Sequence, residues 1–369
     1  MLAGSDKRPL RLVVTGGGTG GHLFPGIAVA EAIMAERPGS QVLFIGTDRQ
    51  IDNQVLGQRP FLTAALKCRG LKGKSVSAAL AALVQLPLAL GKALVILRKF
   101  APALVLGVGG YVTGPVVLAA KLLGIPTCIH EQNSIPGLAN KLLGRFVDRI
   151  FLSMPGSERF FPAGRTILTG NPVRREILAA HDQPEAKREP VLLVMGGSQG
   201  AHRLNDLVVA GLCAAKADLP AGFVVIHQTG RLDAESVRAR YEAAGVRAEV
   251  APFFSDMAAV YRRAALLVSR AGATSLAEIC VLGKPAILVP FPYAADNHQE
   301  HNARLVVRRG GALMRREAEL DGRGLAADIL KIINDSETMQ RMGDQARTVS
   351  FPGAAAAIVS ECLALAARQ

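Results

Sequence analysis

Tryptophan is absent from the 369-residue chain and all aromatics together make up 5% of it, so no indole is available to anchor an apolar face at a membrane surface. Cysteine is scarce: Cys68, Cys128, Cys213, Cys280 and Cys362 lie far apart, odd in number and without a CxxC pair. That pattern argues against a disulfide framework or a structural zinc site and fits a reducing cytoplasm. Low-complexity tracts and long blocks of like charge are missing too, which excludes a disordered or fibrous chain. The basic N-terminus meets only the short apolar run Leu12–Val14 before glycine, too little for a signal peptide. The uncharged windows 100–120 and 75–91 are broken by prolines and glycines, so neither reads as a membrane span. No Asp-x-Asp pair is present to hold a divalent ion on a diphosphate, and His298 with His301 lacks a clear carboxylate or thiol set. Neither a metal nor any other cofactor is expected.

What the chain does have is positive charge, 43 Lys plus Arg against 30 Asp plus Glu, a net +13. It is uneven: residues 1–170 carry 19 basic and 8 acidic side chains, net +11, while residues 171–369 carry 24 and 22, net +2. An anion-seeking surface therefore belongs to the first half.

Short aliphatic runs alternate with longer amphipathic stretches, which predicts parallel βαβ units. Leu10–Thr15, Gln41–Ile45, Leu104–Val108, Thr127–His130 and Ile150–Leu152 read as strands. After an irregular stretch near 154–189 the pattern restarts with Val191–Met195, Phe223–His227, Leu266–Ser269 and Ala286–Pro290. The fold class is α/β, with two doubly wound domains at 1–165 and 166–350, and a final helix within 351–369 that could pack back on the first.

Three sites share one construction, a strand running into a glycine turn and then a helix: Gly16–His22, Gly107–Gly114 and Gly196–Ala201. Glycine lets the backbone approach a ligand, and free N–H groups at a helix start attract phosphate oxygens. Three such turns point to two phosphate-bearing ligands. The first turn satisfies GxGxxG, but Asp48 stands too far on to bind a dinucleotide ribose, and a dehydrogenase would leave the other two turns unexplained. The third reads Gly196-x-Ser198-x-Gly200, the nucleophile elbow of a serine hydrolase. Because the first turn has the same build with Thr19 and no serine, phosphate cradling accounts for more of the sequence. Gly73-Lys74-Ser75 lacks the earlier P-loop glycine and belongs to a basic patch.

Gly17–His22, Gly109–Pro115, His130-Glu131-Gln132-Asn133, Gly170–Arg174, Gly196–Gly200, Ser269–Thr274 through Glu278, and Asp296–Gln299 through Asn302 together resemble the MurG family of glycosyltransferases. The motifs keep the family's order over most of the chain. The resemblance implies the glycosyltransferase B architecture, two Rossmann-like domains facing a central cleft. It implies inverting transfer of N-acetylglucosamine from UDP-N-acetylglucosamine to undecaprenyl-diphospho-N-acetylmuramoyl-pentapeptide (lipid I), giving lipid II and UDP in peptidoglycan synthesis. By the same likeness the first half takes lipid I and the second the nucleotide sugar.

Carried over residue by residue, Glu278 accepts from the ribose hydroxyls within the segment Ala273, Thr274, Ser275, Leu276, Ala277 and Glu278. Ser198 and neighbouring N–H groups hold the donor diphosphate, and Arg174 adds positive charge. Phe254 falls where the family contacts uracil, and Gln299 where it contacts sugar hydroxyls, with Asn302 a further ligand contact. Thr19, Gly20, Gly21 and Asn133 border sugar and acceptor, and Gly109, Gly110 and Tyr111 form an acceptor diphosphate loop, Tyr111 being either core or contact. The base for the acceptor 4-hydroxyl is His22, since an imidazole titrates near neutral pH, with Glu131 the alternative.

Lys72 and Lys74 precede an apolar stretch, 76–97, in which Leu80, Leu83, Leu90, Leu94 and Leu97 recur at helical spacing. Alone it reads as a core helix pair packed on the sheet or as an interfacial helix. Beside net +11 and two phosphate-type turns, the interfacial reading gains, and an anionic bilayer explains the charge better than nucleic acid. The expected place is the cytoplasmic side of the inner membrane, peripherally bound, with cell-division and cell-wall synthesis proteins as further partners by resemblance.

Overall fold

A computed structural model describes residues 8–17, 20–47, 55–57, 59–66, 76–181, 189–197 and 200–368, with backbone alone over 76–85 and at 181. The first sheet contains β1 (Arg11–Gly16), β2 (Gln41–Gly46), β3 (Leu62–Ala65), β4 (Leu104–Gly109), β5 (Thr127–Glu131), β6 (Arg149–Leu152) and β7 (Thr166–Leu168). Their order across the sheet is β3-β2-β1-β4-β5-β6-β7. The second contains β8 (Val191–Met195), β9 (Val224–Gln228), β10 (Ala248–Ala251), β11 (Leu266–Ser269), β12 (Ala286–Leu288) and β13 (Ala312–Met314), in the order β10-β9-β8-β11-β12-β13. Every pairing is parallel.

The central strands read as unbroken aliphatic runs because both faces are covered. In β1, Leu12 and Val14 enter one core with the helix Gly20–Glu36, while Val13 enters another with Ala93, Leu97, Val116 and Val117 on the opposite face. This period of two sends successive side chains to opposite layers. The helix Ala354–Ala366 lies on the first of these layers, where Ile358, Val359, Cys362 and Leu365 join Leu23, Ile27 and Phe44.

The chain divides into two compact units, Met1–Arg174 with Gly353–Gln369, and Arg175–Pro352. The break falls past the expected 165/166 because β7 extends the first sheet, and the Gly170 carbonyl then receives the His130 ring nitrogen at 3.2 Å. In both sheets the strand order reverses beside the first strand, at β1/β4 and at β8/β11. Such reversals open a crevice beyond the strands' carboxyl ends, where ligands of doubly wound folds bind.

The apolar stretch after residue 75 is one helix and not a helix pair: it runs Val76–Phe100, through Pro87. Pro87 removes a helical hydrogen bond, yet Ala89, Ala93 and Leu97 bury themselves on the sheet, and that packing offsets the loss. Leu90 and Leu94 also pack on this core, so the described part of the leucine stripe faces the protein. Leu88 and Val95 are exposed on the opposite face, while Leu86, one turn before Leu90 on the stripe's own face, is exposed as well. Among the described residues, no helix is long and apolar enough to cross a membrane.

Candidate active site

In the first unit the turns after β1 and β4 meet backbone to backbone. A β-carbon on Gly110 would stand 2.8 Å from the Gly17 carbonyl oxygen, and one on Gly109 would stand 2.7 Å from His22 Nδ1. Both glycines have positive φ, +103° at Gly109 and +89° at Gly110, so a side chain there is excluded on two grounds. Thr113 Oγ1 locks the second turn by donating to the carbonyls of Gly109 at 2.8 Å and Thr15 at 3.2 Å. Tyr111, at the tip, is 54% exposed and not core, which leaves it on the acceptor-loop reading.

His22 occupies the first turn of its helix, half-buried, with Nδ1 3.2 Å from Gln132 Oε1 beyond the end of β5. Neighbouring Glu131 points away from solvent at 2% exposure. Its carboxylate accepts from the Asn133 backbone N–H at 2.9 Å, the Gly137 N–H at 3.3 Å and Asn140 Nδ2 at 2.8 Å. Burial raises its pKa, and the bonds from Asn133, Asn140 and Gly137 oppose that rise. These contacts make Glu131 the carboxylate that folds the 132–137 loop, which holds Asn133 at the strand end. His130 is fully buried and stays neutral, its pKa lowered to about 4 by desolvation. Arg174 closes the first unit with its guanidinium 4.6 Å from the Phe24 ring centroid, on the helix that carries His22.

In the second unit the glycine turn after β8 is just as tight. A β-carbon on Gly200 would stand 2.2 Å from the Thr229 carbonyl oxygen, and one on Gly196 would stand 2.5 Å from the Ala201 nitrogen. Thr229 is itself held by Asn205, whose Nδ2 donates to its carbonyl at 2.9 Å. Asn205 Oδ1 meets His227 Nε2 at 3.1 Å, and the Tyr241 hydroxyl meets His227 Nδ1 at 3.1 Å. Desolvation lowers the His227 pKa to about 3, so it serves as a neutral structural link.

The turn after β11 is fixed at both its polar backbone groups. Gln299 Oε1 accepts from the Ala271 N–H at 3.2 Å and from the Phe291 N–H at 3.0 Å, while Asn302 Nδ2 donates to the Ala271 carbonyl at 3.3 Å. Gln299 therefore stays half-buried with its oxygen committed and its amide nitrogen as the donor end. Asn302 is wholly buried and structural, a correction to its reading as a ligand contact. Beyond the turn starts the helix Ala273–Leu282, whose N–H groups at Ala273, Thr274 and Ser275 lie at its positive end. Leu276 packs in the core, Ala277 is half-buried, and Glu278 is 4% exposed with Oε2 accepting from the Tyr261 hydroxyl at 2.9 Å. Phe254, half-buried beyond β10, donates its backbone N–H to Gln228 Oε1 at 3.2 Å, so a ligand there would meet its carbonyl or ring instead.

Residues 12–152 match the Glycosyltransferase family 28 N-terminal domain and residues 191–358 the Glycosyltransferase family 28 C-terminal domain. A UDP-N-acetylglucosamine--N-acetylmuramyl-(pentapeptide) pyrophosphoryl-undecaprenol N-acetylglucosamine transferase of Desulfotalea psychrophila is 49% identical over 358 residues, 97% of each chain. The crystal structure of Acinetobacter baumannii MurG has a TM-score of 0.76 to this chain at 29% identity, covering 96% of this chain and 99% of its own. The chain belongs to the MurG family of glycosyltransferases. A MurG relative from Geotalea uraniireducens is 44% identical over 95% of this chain and 97% of its own. A putative UDP-N-acetylglucosamine 2-epimerase of Listeria monocytogenes, at 12% identity and a TM-score of 0.70 over 95% of each chain, shares the fold alone.

Against the MurG motifs, the structure gathers Gly20, Gly21, His22, Gly109, Gly110, Tyr111 and Asn133 at the carboxyl ends of β1, β4 and β5. It places Ala273–Glu278, Phe254 and Gln299 beyond β11, β10 and β12 in the other unit. Thr19, Ser198, Lys72 and Lys74 lie outside the described residues, as do the side chains of Leu80 and Leu83. Two neighbours of these candidate residues had no role in the sequence reading. Gln132 was quoted within a motif without a task, and Arg270 reaches the carbonyls of Val289 and Pro290 and the carboxylate of Glu317, pinning the ends of β11 and β12 together.

Proposed function

We propose that the protein transfers N-acetylglucosamine from UDP-N-acetylglucosamine to the muramoyl 4-hydroxyl of lipid I, with inversion, releasing UDP and forming lipid II for the peptidoglycan of the cell wall. The observation that carries the reading is the division of labour between the two strand-end sites. The first unit orders an imidazole over two glycine turns, and the second presents a helix N-terminus with a buried carboxylate one turn in.

Each group has work its chemistry can do. Glu278 accepts from the ribose hydroxyls, and the N–H groups of Ala273 and Thr274 with the Gly196–Gly200 turn take the diphosphate as it gains charge. The Gln299 amide nitrogen donates to the sugar hydroxyls, and the Phe254 carbonyl and ring receive uracil. His22 removes the proton from the attacking hydroxyl. Glu131, turned onto its own loop, positions Asn133 instead of serving as base. Arg174 offsets the developing negative charge, and Gly109, Gly110 and Tyr111 meet the acceptor diphosphate.

The membrane side of the first unit is an apolar face made by three helices packed side by side, Val76–Phe100, Thr113–Leu122 and Leu138–Leu143. Leu88, Val95, Leu118, Leu122, Leu138, Leu142 and Phe146 are exposed there, among Lys92, Arg98, Lys99 and Arg145. Apolar side chains among cations suit the interface of an anionic bilayer. Peripheral attachment to the cytoplasmic face of the inner membrane, beside cell-wall synthesis and division proteins, follows from that face and from the lipid acceptor.

The test is release of UDP by purified protein given UDP-N-acetylglucosamine and a short-chain lipid I analogue. Acceptor-dependent release, abolished in His22→Ala, supports the reading. Release without acceptor, or none at all, overturns it.

A further inference from the structure

The acceptor of the His22 proton has a neighbourhood that settles its tautomer. Gln132 Nε2 lies 2.8 Å from the Val108 carbonyl oxygen and 3.1 Å from His130 Nδ1. A carbonyl can only accept, so the atom facing it must be the NH2 group, and the amide can have one orientation. His130 completes the constraint: its Nε2 lies 3.2 Å from the Gly170 carbonyl, which again demands a proton there. The Ser153 hydroxyl shares that nitrogen at 2.9 Å. A neutral His130 protonated on Nε2 has its lone pair on Nδ1, where it receives the second Gln132 N–H.

With both amide hydrogens committed, Gln132 presents only Oε1 to His22 Nδ1, at 3.2 Å. An oxygen without hydrogen calls for a proton on the ring nitrogen. Gly109 holds the same edge of the ring, since a β-carbon there would overlap Nδ1. We infer that Gln132, itself held by the Val108 carbonyl and His130, is the positioning residue that keeps His22 protonated on Nδ1 and so keeps the Nε2 lone pair as its proton acceptor. The inference rests on the reading of His22 as the base. It deepens that reading, because an imidazole in the other tautomer would present a hydrogen, not a lone pair, to the hydroxyl.

Nitrogen-15 NMR of the full chain labelled in histidine, with the His22 signals assigned by comparison with His22→Asn, reads the tautomer directly. Above the pH of its titration, His22 is expected to show a protonated, pyrrole-type Nδ1 and a pyridine-type Nε2. Gln132→Met, which removes both the donors and the acceptor, should mix the tautomers. It should lower kcat about 10- to 100-fold, part of the typical worth of a general base, with KM for UDP-N-acetylglucosamine within about twofold. Gln132→Glu, with the proton of its carboxyl group on the oxygen that faces the Val108 carbonyl, keeps the other oxygen as acceptor toward His22 and, at pH values where that proton is held, should restore the Nδ1-protonated pattern and most of the rate. A pyrrole-type Nε2 in the wild type, or wild-type kcat in Gln132→Met, overturns the inference. Should the methionine variant fail to fold, the wild-type spectrum and Gln132→Glu still decide it. Full turnover by His22→Ala would instead remove the base itself, leaving the tautomer signature intact, so the two failures are distinguishable.

Discussion

Gly109 lies against the His22 imidazole with no room for a methyl group, because a β-carbon on it would stand 2.7 Å from Nδ1. Gly109→Ala should therefore act through the ring it touches. The backbone at φ +103° adds strain of roughly 1–2 kcal/mol for an L side chain. Displacing a reacting group by about 1 Å can cost about 100-fold in rate. The expected outcome is a kcat lower by about 10- to 100-fold, with calorimetric affinity for UDP-N-acetylglucosamine unchanged. Wild-type turnover would show that the imidazole is not the reacting group.

Glu278 and Tyr261 test the donor side. A hydrogen bond to a charged group is worth about 1.5–3 kcal/mol, so Glu278→Ala should weaken UDP-N-acetylglucosamine binding by about 10- to 100-fold. Tyr261→Phe leaves the carboxylate in place and removes one neutral donor, so its loss in affinity should be about tenfold or less. Equal affinity of Glu278→Ala and wild type, measured by titration calorimetry, would remove the ribose assignment.

Buried histidines give each unit a pH dependence. His130 and His227 titrate near 6.5 when unfolded but only at about 4 and about 3 in the folded protein, because burial disfavours the imidazolium. The unfolded chain thus binds more protons below pH 6.5, and the stability these groups confer is full above 6.5 and lost as pH falls toward 4 and 3. Each is worth on the order of a few kcal/mol over that window. Urea unfolding from pH 7.5 to 4.5 should show a falling midpoint, and His227→Gln should flatten the fall for the second unit. A flat profile in the wild type would contradict the burial argument.

On the membrane side, Leu88 and Val95 are 65% and 66% exposed, so charged replacements there should spare the fold. Leu88→Glu with Val95→Glu should reduce binding to anionic phospholipid vesicles by about tenfold or more, since each removes apolar contact and adds repulsion. Lys72→Glu with Lys74→Glu should lower vesicle binding too, while UDP binding stays unchanged in both pairs. Undiminished vesicle binding would place the membrane contact elsewhere.

Central strands and glycine turns were readable because covered parallel strands need continuous aliphatic runs and tight turns need glycine. The edge strands β3, β7, β10 and β13 were not, since Leu62–Ala65, Thr166–Leu168, Ala248–Ala251 and Ala312–Met314 are partly exposed and carry no such run. For the Val76–Phe100 helix, sequence shows the N–H missing at Pro87 but not the sheet that compensates for it. Motifs name candidate site residues, yet could not rank them. Asn302 and Gln299 share one helix face three residues apart, and only the Ala271 and Phe291 backbone groups distinguish a buried strut from a donor aimed outward. Likewise Glu131 and Gln132 are adjacent, but successive residues at a strand end face opposite ways, so one folds its loop and the other reaches His22.

The most direct test of the transfer itself is the product. Proton NMR of a reaction containing the purified protein, UDP-N-acetylglucosamine and a short-chain lipid I analogue should show one new β-linked disaccharide appearing in step with UDP. Conversion of the donor to UDP-N-acetylmannosamine, or free N-acetylglucosamine with the acceptor untouched, would contradict it and assign the same fold to epimerisation or hydrolysis.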